Sequence, residues 1–193
     1  MNLFQSLITT MLAAVLTDNY VLSRSIGICP FLGVSKKLSS SLGMGAAVIF
    51  VMGCAAAATY PVYQLLAMLG LEYLQTVAFI LIIALFVQLV EIVMKKLLPP
   101  LYKALGVYLP LITTNCAVLN VTLNNIDDGY SYGMAVWNAV CVGIGFTVAL
   151  VIFSGVRSKI EAADIPETFK GIPATLVAAA LVSVSFTAFS GMI

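Results

Sequence analysis

Six apolar runs, each close to the ~20 residues a helix needs to cross a ~30 Å hydrocarbon core, constrain this chain more than any other feature. They fall at about 3–22, 42–69, 74–94, 105–123, 132–153 and 172–192, separated by short polar turns. Only 9% of the 193 residues are charged and 62% are hydrophobic, against about 25% charged in a soluble domain. The turns are too short to hold a second domain. The sequence therefore predicts a single all-α integral membrane domain over 1–193, with six transmembrane helices. Met1 to Gln5 lack the basic stretch of a signal peptide, so the first run is expected to stay as a transmembrane helix.

Basic residues favour the cytoplasmic ends of such helices. The turns after the first, third and fifth runs carry Lys36, Lys37, Lys95, Lys96, Lys103, Arg157, Lys159 and Lys170. The other turns carry Glu72, Asp127 and Asp128 and no lysine or arginine, with Arg24 the one residue not assigned to a side. This asymmetry places both termini on the extracytoplasmic side. Three runs per half then oppose the two halves in the membrane, which predicts inverted repeats of about 1–98 and 99–193. Cys29 and Cys54 are spaced as Cys116 and Cys141 are, in keeping with a repeat. Small residues at Gly43 to Ala47 and Ala55 to Ala58 are expected to let helices pack closely. Pro61 is expected to kink the second helix, Pro99-Pro100 to stop the third, and Pro173 to sit in the first turn of the sixth. The segment from Arg157 to Lys170 reads as a solvated loop of mixed charge.

Two runs are not plain. Leu109-Pro110-Leu111-Ile112-Thr113-Thr114-Asn115-Cys116-Ala117-Val118-Leu119 lies inside the fourth, and Gly27-Ile28-Cys29-Pro30-Phe31-Leu32-Gly33 follows the first. Polar and helix-breaking residues cost free energy in hydrocarbon unless the fold satisfies them. Interrupted helices are therefore expected at the first and fourth spans. The chain has no histidine, which removes the commonest general base and nitrogen ligand. A metal site must use cysteine or oxygen. Membrane cysteines are most often small apolar fillers, and that reading is preferred for Cys54 and Cys141 among their small neighbours. Cys29 and Cys116 differ because both occupy helix breaks, where free amide donors and the helix dipole favour negative charge on sulfur. Two thiolates leave a four-thiolate cluster half built, so a second subunit or copy must complete it. Ligation by all four cysteines within the chain is the alternative.

Asp18, Asn19, Thr113, Thr114 and Asn115 form a second group. They read equally as interhelical hydrogen-bonding residues or as a path for a cation, which takes oxygen ligands. Asp18 and Arg24 would lie on different faces of one helix, so a direct pair needs a break between them. Glu91 and Lys95 have the spacing of an ordinary helical ion pair. No phosphate-binding loop or nucleophile–base pair is present, and a net charge of +1 gives no reason to expect nucleic acid. A small secondary transporter without redox chemistry, or a purely structural subunit, remains compatible with these residues.

The two quoted stretches, the string Cys29-Pro30-Phe31-Leu32-Gly33-Val34-Ser35-Lys36-Lys37 above all, resemble the A-type membrane subunits of the Rnf complex. The pattern is shared with the NqrE-like subunits of the sodium-pumping NADH:quinone oxidoreductase. The resemblance spans the whole chain and departs at Asn120, where glycine is expected. It implies a subunit of a bacterial cytoplasmic-membrane complex that passes electrons between ferredoxin and NAD and moves Na+ or H+. It further implies an intramembrane [2Fe–2S] cluster, with Cys29 and Cys116 as this chain's two ligands. A homologous, oppositely oriented E-type subunit would supply the other two, and Rnf subunits B, C, D and G would be the further partners.

Overall fold

The computed structural model describes residues 3–35, 38–97, 115–166 and 169–188. Among them the α-helices are α1 (Leu3–Leu12), α2 (Ile28–Val34), α3 (Leu38–Leu69), α4 (Gln75–Leu97), α5 (Cys116–Asp127), α6 (Tyr132–Glu161) and α7 (Ile172–Thr187). A π-helical turn, Ala13–Thr17, extends α1, and a 3-10 turn, Glu72–Leu74, leads into α4. No strand occurs among the described residues.

The two long helices, α3 and α6, are each long and apolar enough to cross a membrane. They pack antiparallel. Gly45 faces Thr147, Ile49 faces Gly143, Gly53 faces Val140, and the Tyr60 ring meets Tyr132 edge-on with centroids 5.5 Å apart. Glycine allows this approach: a Cβ on Gly143 would stand 2.9 Å from the Ile49 Cα. The core between them takes Met44, Val48 and Met52 from α3 and Phe146, Leu150 and Phe153 from α6. Val118 and Val121 of α5 enter the same core, and Cys141 is wholly buried in it.

The first run lies along α6. The Trp137 indole N–H donates to the Leu7 carbonyl at 3.2 Å, and a Cβ on Gly145 would stand 2.5 Å from the Ala14 carbonyl oxygen. Helix α4 packs on α3 and α5 and turns Val77, Leu81, Leu85 and Leu89 outward. Helix α7 packs on α6. The apolar outer faces suit hydrocarbon rather than water.

Most expected helix limits agree with the structure within a turn. Pro61 lies inside α3, which continues to Leu69, and Pro173 opens α7. Lys36, Lys37, Pro99, Pro100, Lys103 and the run 105–114 lie outside the described residues, as does the Lys95 side chain. Helix α6 departs most: it runs to Glu161, about two turns past the expected end. Arg157 is therefore not part of a solvated loop. It is helical and 8% exposed, because its donors have partners inside the fold. Nη1 donates to the Leu32 carbonyl at 2.6 Å and to the Ser35 hydroxyl at 3.1 Å, and Nε donates to Glu161 at 3.3 Å. These bonds fasten the end of α2 to the end of α6.

The close approach at Gly145 yields a stability prediction. Gly145→Val should lower the stability of the detergent-solubilised protein by about 1–3 kcal/mol, the usual cost of overpacking. Gly155→Ala, inside α6 and with nothing within 4 Å of the added Cβ, should instead raise the midpoint slightly in the same fluorescence scan, by the roughly 0.5–1 kcal/mol that alanine gains over glycine in a helix.

Candidate functional site

The first run breaks after its π turn. Asp18 leaves helical geometry with φ −119° and ψ 47°, and Asn19, 1% exposed, satisfies the groups around the break. Its Nδ2 donates to the Gly145 carbonyl at 2.9 Å and to the Val15 carbonyl at 3.2 Å. Its Oδ1 accepts from the backbone N–H groups of Val21 and Leu22 at 3.1 and 3.3 Å. All of Asn19's hydrogen-bonding capacity thus goes to backbone. The break also brings Asp18 and Arg24 together: Nε and Nη2 donate to the two carboxylate oxygens at 2.7 and 2.6 Å. The guanidinium lies 5.1 Å from the centre of the Tyr20 ring. The chain then turns through Ser25 (φ 56°) and Gly27 (φ 84°) into α2.

At Gly27 the two interrupted stretches meet. Its N–H donates to Cys116 Sγ at 3.1 Å. Asn115 caps α5 from an extended conformation (φ −70°, ψ 109°), its Oδ1 accepting from the Ala117 N–H at 3.0 Å. Such a cap contributes about 1 kcal/mol. A Cβ on Gly27 would stand 3.0 Å from the Phe146 ring and 3.2 Å from both Ala117 Cβ and Asn115 Oδ1. Only glycine combines the positive φ with this approach.

From this level, near the middle of α6, the two short helices run to opposite ends. Helix α2 leads past the Phe31–Phe153 stack, with centroids 4.3 Å apart, to the Arg157 clamp. A guanidinium at a partly buried helix C-terminus contributes up to about 2 kcal/mol. Helix α5 leads the other way. Asn138 Nδ2 donates to Asn125 Oδ1 at 2.7 Å, and Asn125 Nδ2 donates to the Ala135 carbonyl at 2.9 Å. Helix α5 ends at Asp127 beside the turn into α6.

Cys29, in the first turn of α2, and Cys116, the first residue of α5, are both exposed thiols, whereas Cys54 is half-buried and Cys141 buried. Asn115 Nδ2 is buried without a hydrogen-bond partner. Thr113 and Thr114 lie outside the described residues. Among the described residues no three histidine, cysteine or carboxylate side chains gather as a metal site. The donor set fits one half of a thiolate-ligated cluster: two exposed sulfurs, a backbone N–H already directed at one of them, and no histidine. It does not fit a complete site.

A cavity of about 270 Å³ opens beside the break, walled by Asp18, Tyr20, Arg24, Asn124, Asp128 and Tyr130 among others. Asn124 Nδ2 donates to the Tyr20 hydroxyl at 3.1 Å. Burial pushes the Tyr130 phenol up, and the carboxylates of Asp128 and Asp18 push it the same way, so this wall keeps its hydroxyl proton at neutral pH. The sequence placed neither Asn124 nor Asn138 at a site and marked Asn120 only as the departure from an expected glycine. For Asn120 and Asn124 the signal was asparagine at four-residue spacing in an otherwise apolar run.

The family model of Rnf-Nqr subunits, described as membrane proteins, matches residues 7–193. The chain belongs to the Rnf-Nqr membrane-subunit family. It is 53% identical, over 97% of its length and 98% of the relative's, to the A-type subunit of the Na(+)-translocating ferredoxin:NAD(+) oxidoreductase complex of Acetobacterium woodii. The A-type subunit of the ion-translocating oxidoreductase complex of Syntrophotalea carbinolica is 46% identical, with 98% of each chain covered. Its namesake from Vibrio cholerae is 43% identical, with 95% of each covered. Within this Rnf-Nqr family, the apolar outer faces of α3, α4 and α7 are those of a membrane-embedded subunit.

Gly27 offers a test of the junction. Gly27→Ala should cost about 1–2 kcal/mol for the left-handed backbone alone, plus the crowding against Phe146. Gly129→Ala, also at positive φ but with nothing within 4 Å, should show the backbone cost only. Thermal unfolding of the two variants in parallel should give the larger loss for Gly27→Ala.

Proposed function

We propose that this Rnf-Nqr subunit is the A-type membrane subunit of an ion-translocating ferredoxin:NAD oxidoreductase. In this reading it lies in a bacterial cytoplasmic membrane as six spans in two inverted repeats, 1–98 and 99–193, with both termini extracytoplasmic. Cys29 and Cys116 are two of the four ligands of an intramembrane [2Fe–2S] cluster. A homologous six-helix, RnfE-like subunit supplies the other two, and Rnf subunits B, C, D and G complete the complex. The carrying observation is the bond from Gly27 N–H to Cys116 Sγ, which joins the two interrupted stretches two residues from Cys29. The names of the relatives support the redox and ion-translocating parts of the reading.

Such a cluster, when bound, takes up and releases one electron at a time. The chain's own residues set the position of the sulfurs. Gly27 N–H holds Cys116 Sγ, the Asn115 cap fixes the start of α5, and the Arg157 clamp fixes the far end of α2. Phe146 and Ala117, packed against Gly27, exclude water from the inner side of the junction. Negative charge on such a group in a low-dielectric region would interact strongly with a nearby cation, and α2 and α5, which start together and run apart, are the elements that would hold its sulfurs. Asp18, Asn19, Thr113, Thr114 and Asn115 lie on the proposed ion path. The second reading, an NqrE-like subunit of a sodium-pumping NADH:quinone oxidoreductase, shares the family and the cysteines. The string Cys29 to Lys37 and the names of the relatives favour the Rnf type.

In the complex purified with its partners, Cys29→Ala and Cys116→Ala should each abolish the electron paramagnetic resonance signal of the reduced intramembrane cluster. Cys54→Ala and Cys141→Ala should keep it. A Cys116→Ala complex with the parental signal would remove the ligand assignment.

A further inference from the structure

Among the described residues, the buried side-chain nitrogen and oxygen atoms without a hydrogen-bond partner are Asn115 Nδ2 and Asn120 Nδ2. Both flank one cysteine. Asn115 immediately precedes Cys116, and Asn120 lies one helical turn beyond it, a spacing that puts 116 and 120 on the same side of α5. The side chain of a helical residue leans toward the N-terminus of its helix, so Asn120 leans back over the turn that begins with Cys116. Asn115 is 4% exposed, and its amide has one orientation. Oδ1 accepts from the Ala117 N–H, which leaves the two N–H groups of Nδ2 to find acceptors elsewhere. Gly27 lies against both neighbours: its N–H donates to Cys116 Sγ, and a Cβ on it would stand 3.2 Å from Asn115 Oδ1.

A buried amide N–H without an acceptor is costly, and more so at membrane depth. Donors call for an electron-rich acceptor, and the atom between these two is a sulfur. A neutral thiol accepts weakly. A thiolate that ligates a metal accepts well, because hydrogen bonds to a charged acceptor are the stronger ones. We propose that Asn115 and Asn120 donate to the Cys116 sulfur in its ligand state, joining the Gly27 N–H in a set of three donors that raises the reduction potential of the centre this cysteine helps to hold. The inference rests on the ligand assignment above and adds two positioning residues to it, since both asparagines act through Cys116. The sign follows from charge: N–H donors stabilise negative charge on sulfur, an added electron increases that charge, and the reduced form gains more than the oxidised one.

The test uses the complex purified with its partners, with the midpoint potential of the intramembrane cluster read by redox titration under electron paramagnetic resonance. Asn120→Leu keeps the size of the side chain and removes the donor. Asn115→Ser keeps an oxygen that can cap α5 and removes the amide. Each should lower the midpoint by about 59 mV, the one-electron equivalent of a tenfold shift, which is the scale of one lost hydrogen bond to a charged group. After exchange into heavy water, electron–nuclear double resonance should show deuterons coupled to the parental cluster, and each variant should lose part of that coupling. If one variant does not assemble, the other decides. Parental potentials in the variants overturn the proposal, and so does a lowered potential with the deuteron coupling unchanged. A shift in Asn115→Ala that Asn115→Ser does not share would assign Asn115 to the helix cap alone and overturn its part. A Cys116→Ala complex with the parental signal removes the ligand assignment and the donors with it. Loss of that signal beside parental potentials in the asparagine variants removes the donors alone.

Discussion

A chain that leaves helical geometry inside a bilayer must satisfy the backbone groups it frees, since hydrocarbon offers them nothing. The break after Thr17 meets this demand with one side chain. Asn19 bonds the last helical turn, the following loop and the Gly145 carbonyl of α6 at once. The antiparallel pair of α3 and α6 provides the wall against which this is possible. Glycine at 143 and 145 brings the backbone of α6 close enough to be reached. The break, the junction and the cavity beside it all depend on that arrangement.

The second consequence is an opposed pair of short helices. Helices α2 and α5 start at one level, joined by Gly27 and Cys116, and each is fastened at its other end. Arg157 holds the end of α2, and the Asn125–Asn138 bond ties α5 to α6. Fixed outer ends and a shared inner junction define two thiol positions without burying either thiol. Exposed sulfurs beside unmet amides are unsuited to lipid and suited to a polar partner surface. The incomplete ligand set and the unmet polar groups both support the proposal of a shared site.

Much of this was legible in the sequence because hydropathy and charge act locally. The apolar runs at 42–69, 74–94 and 132–153 became α3, α4 and the main part of α6. The helix-breaking residues around Cys29 and before Cys116 marked where helices begin. Even the Asp18–Arg24 pair was legible as a condition, since six residues of unbroken helix would have kept the two apart. The rest was not, because it depends on contacts distant in sequence. Arg157 looked solvated by its charged neighbours, and only the approach of Leu32 and Ser35 explains why it is buried. Asn120 stood out only as a departure from glycine and Asn124 not at all, because what they face depends on how α5 packs beside the break and on the cavity at its end.

The central claim is that this chain holds half of a metal centre and its homologous partner the other half. Iron and acid-labile sulfide content, measured on the chain purified alone and on the same chain purified with that partner, tests it most directly. The account predicts no stoichiometric cluster on the chain alone and one [2Fe–2S] cluster for each pair. A full cluster on the isolated chain, or a pair without iron, would contradict it.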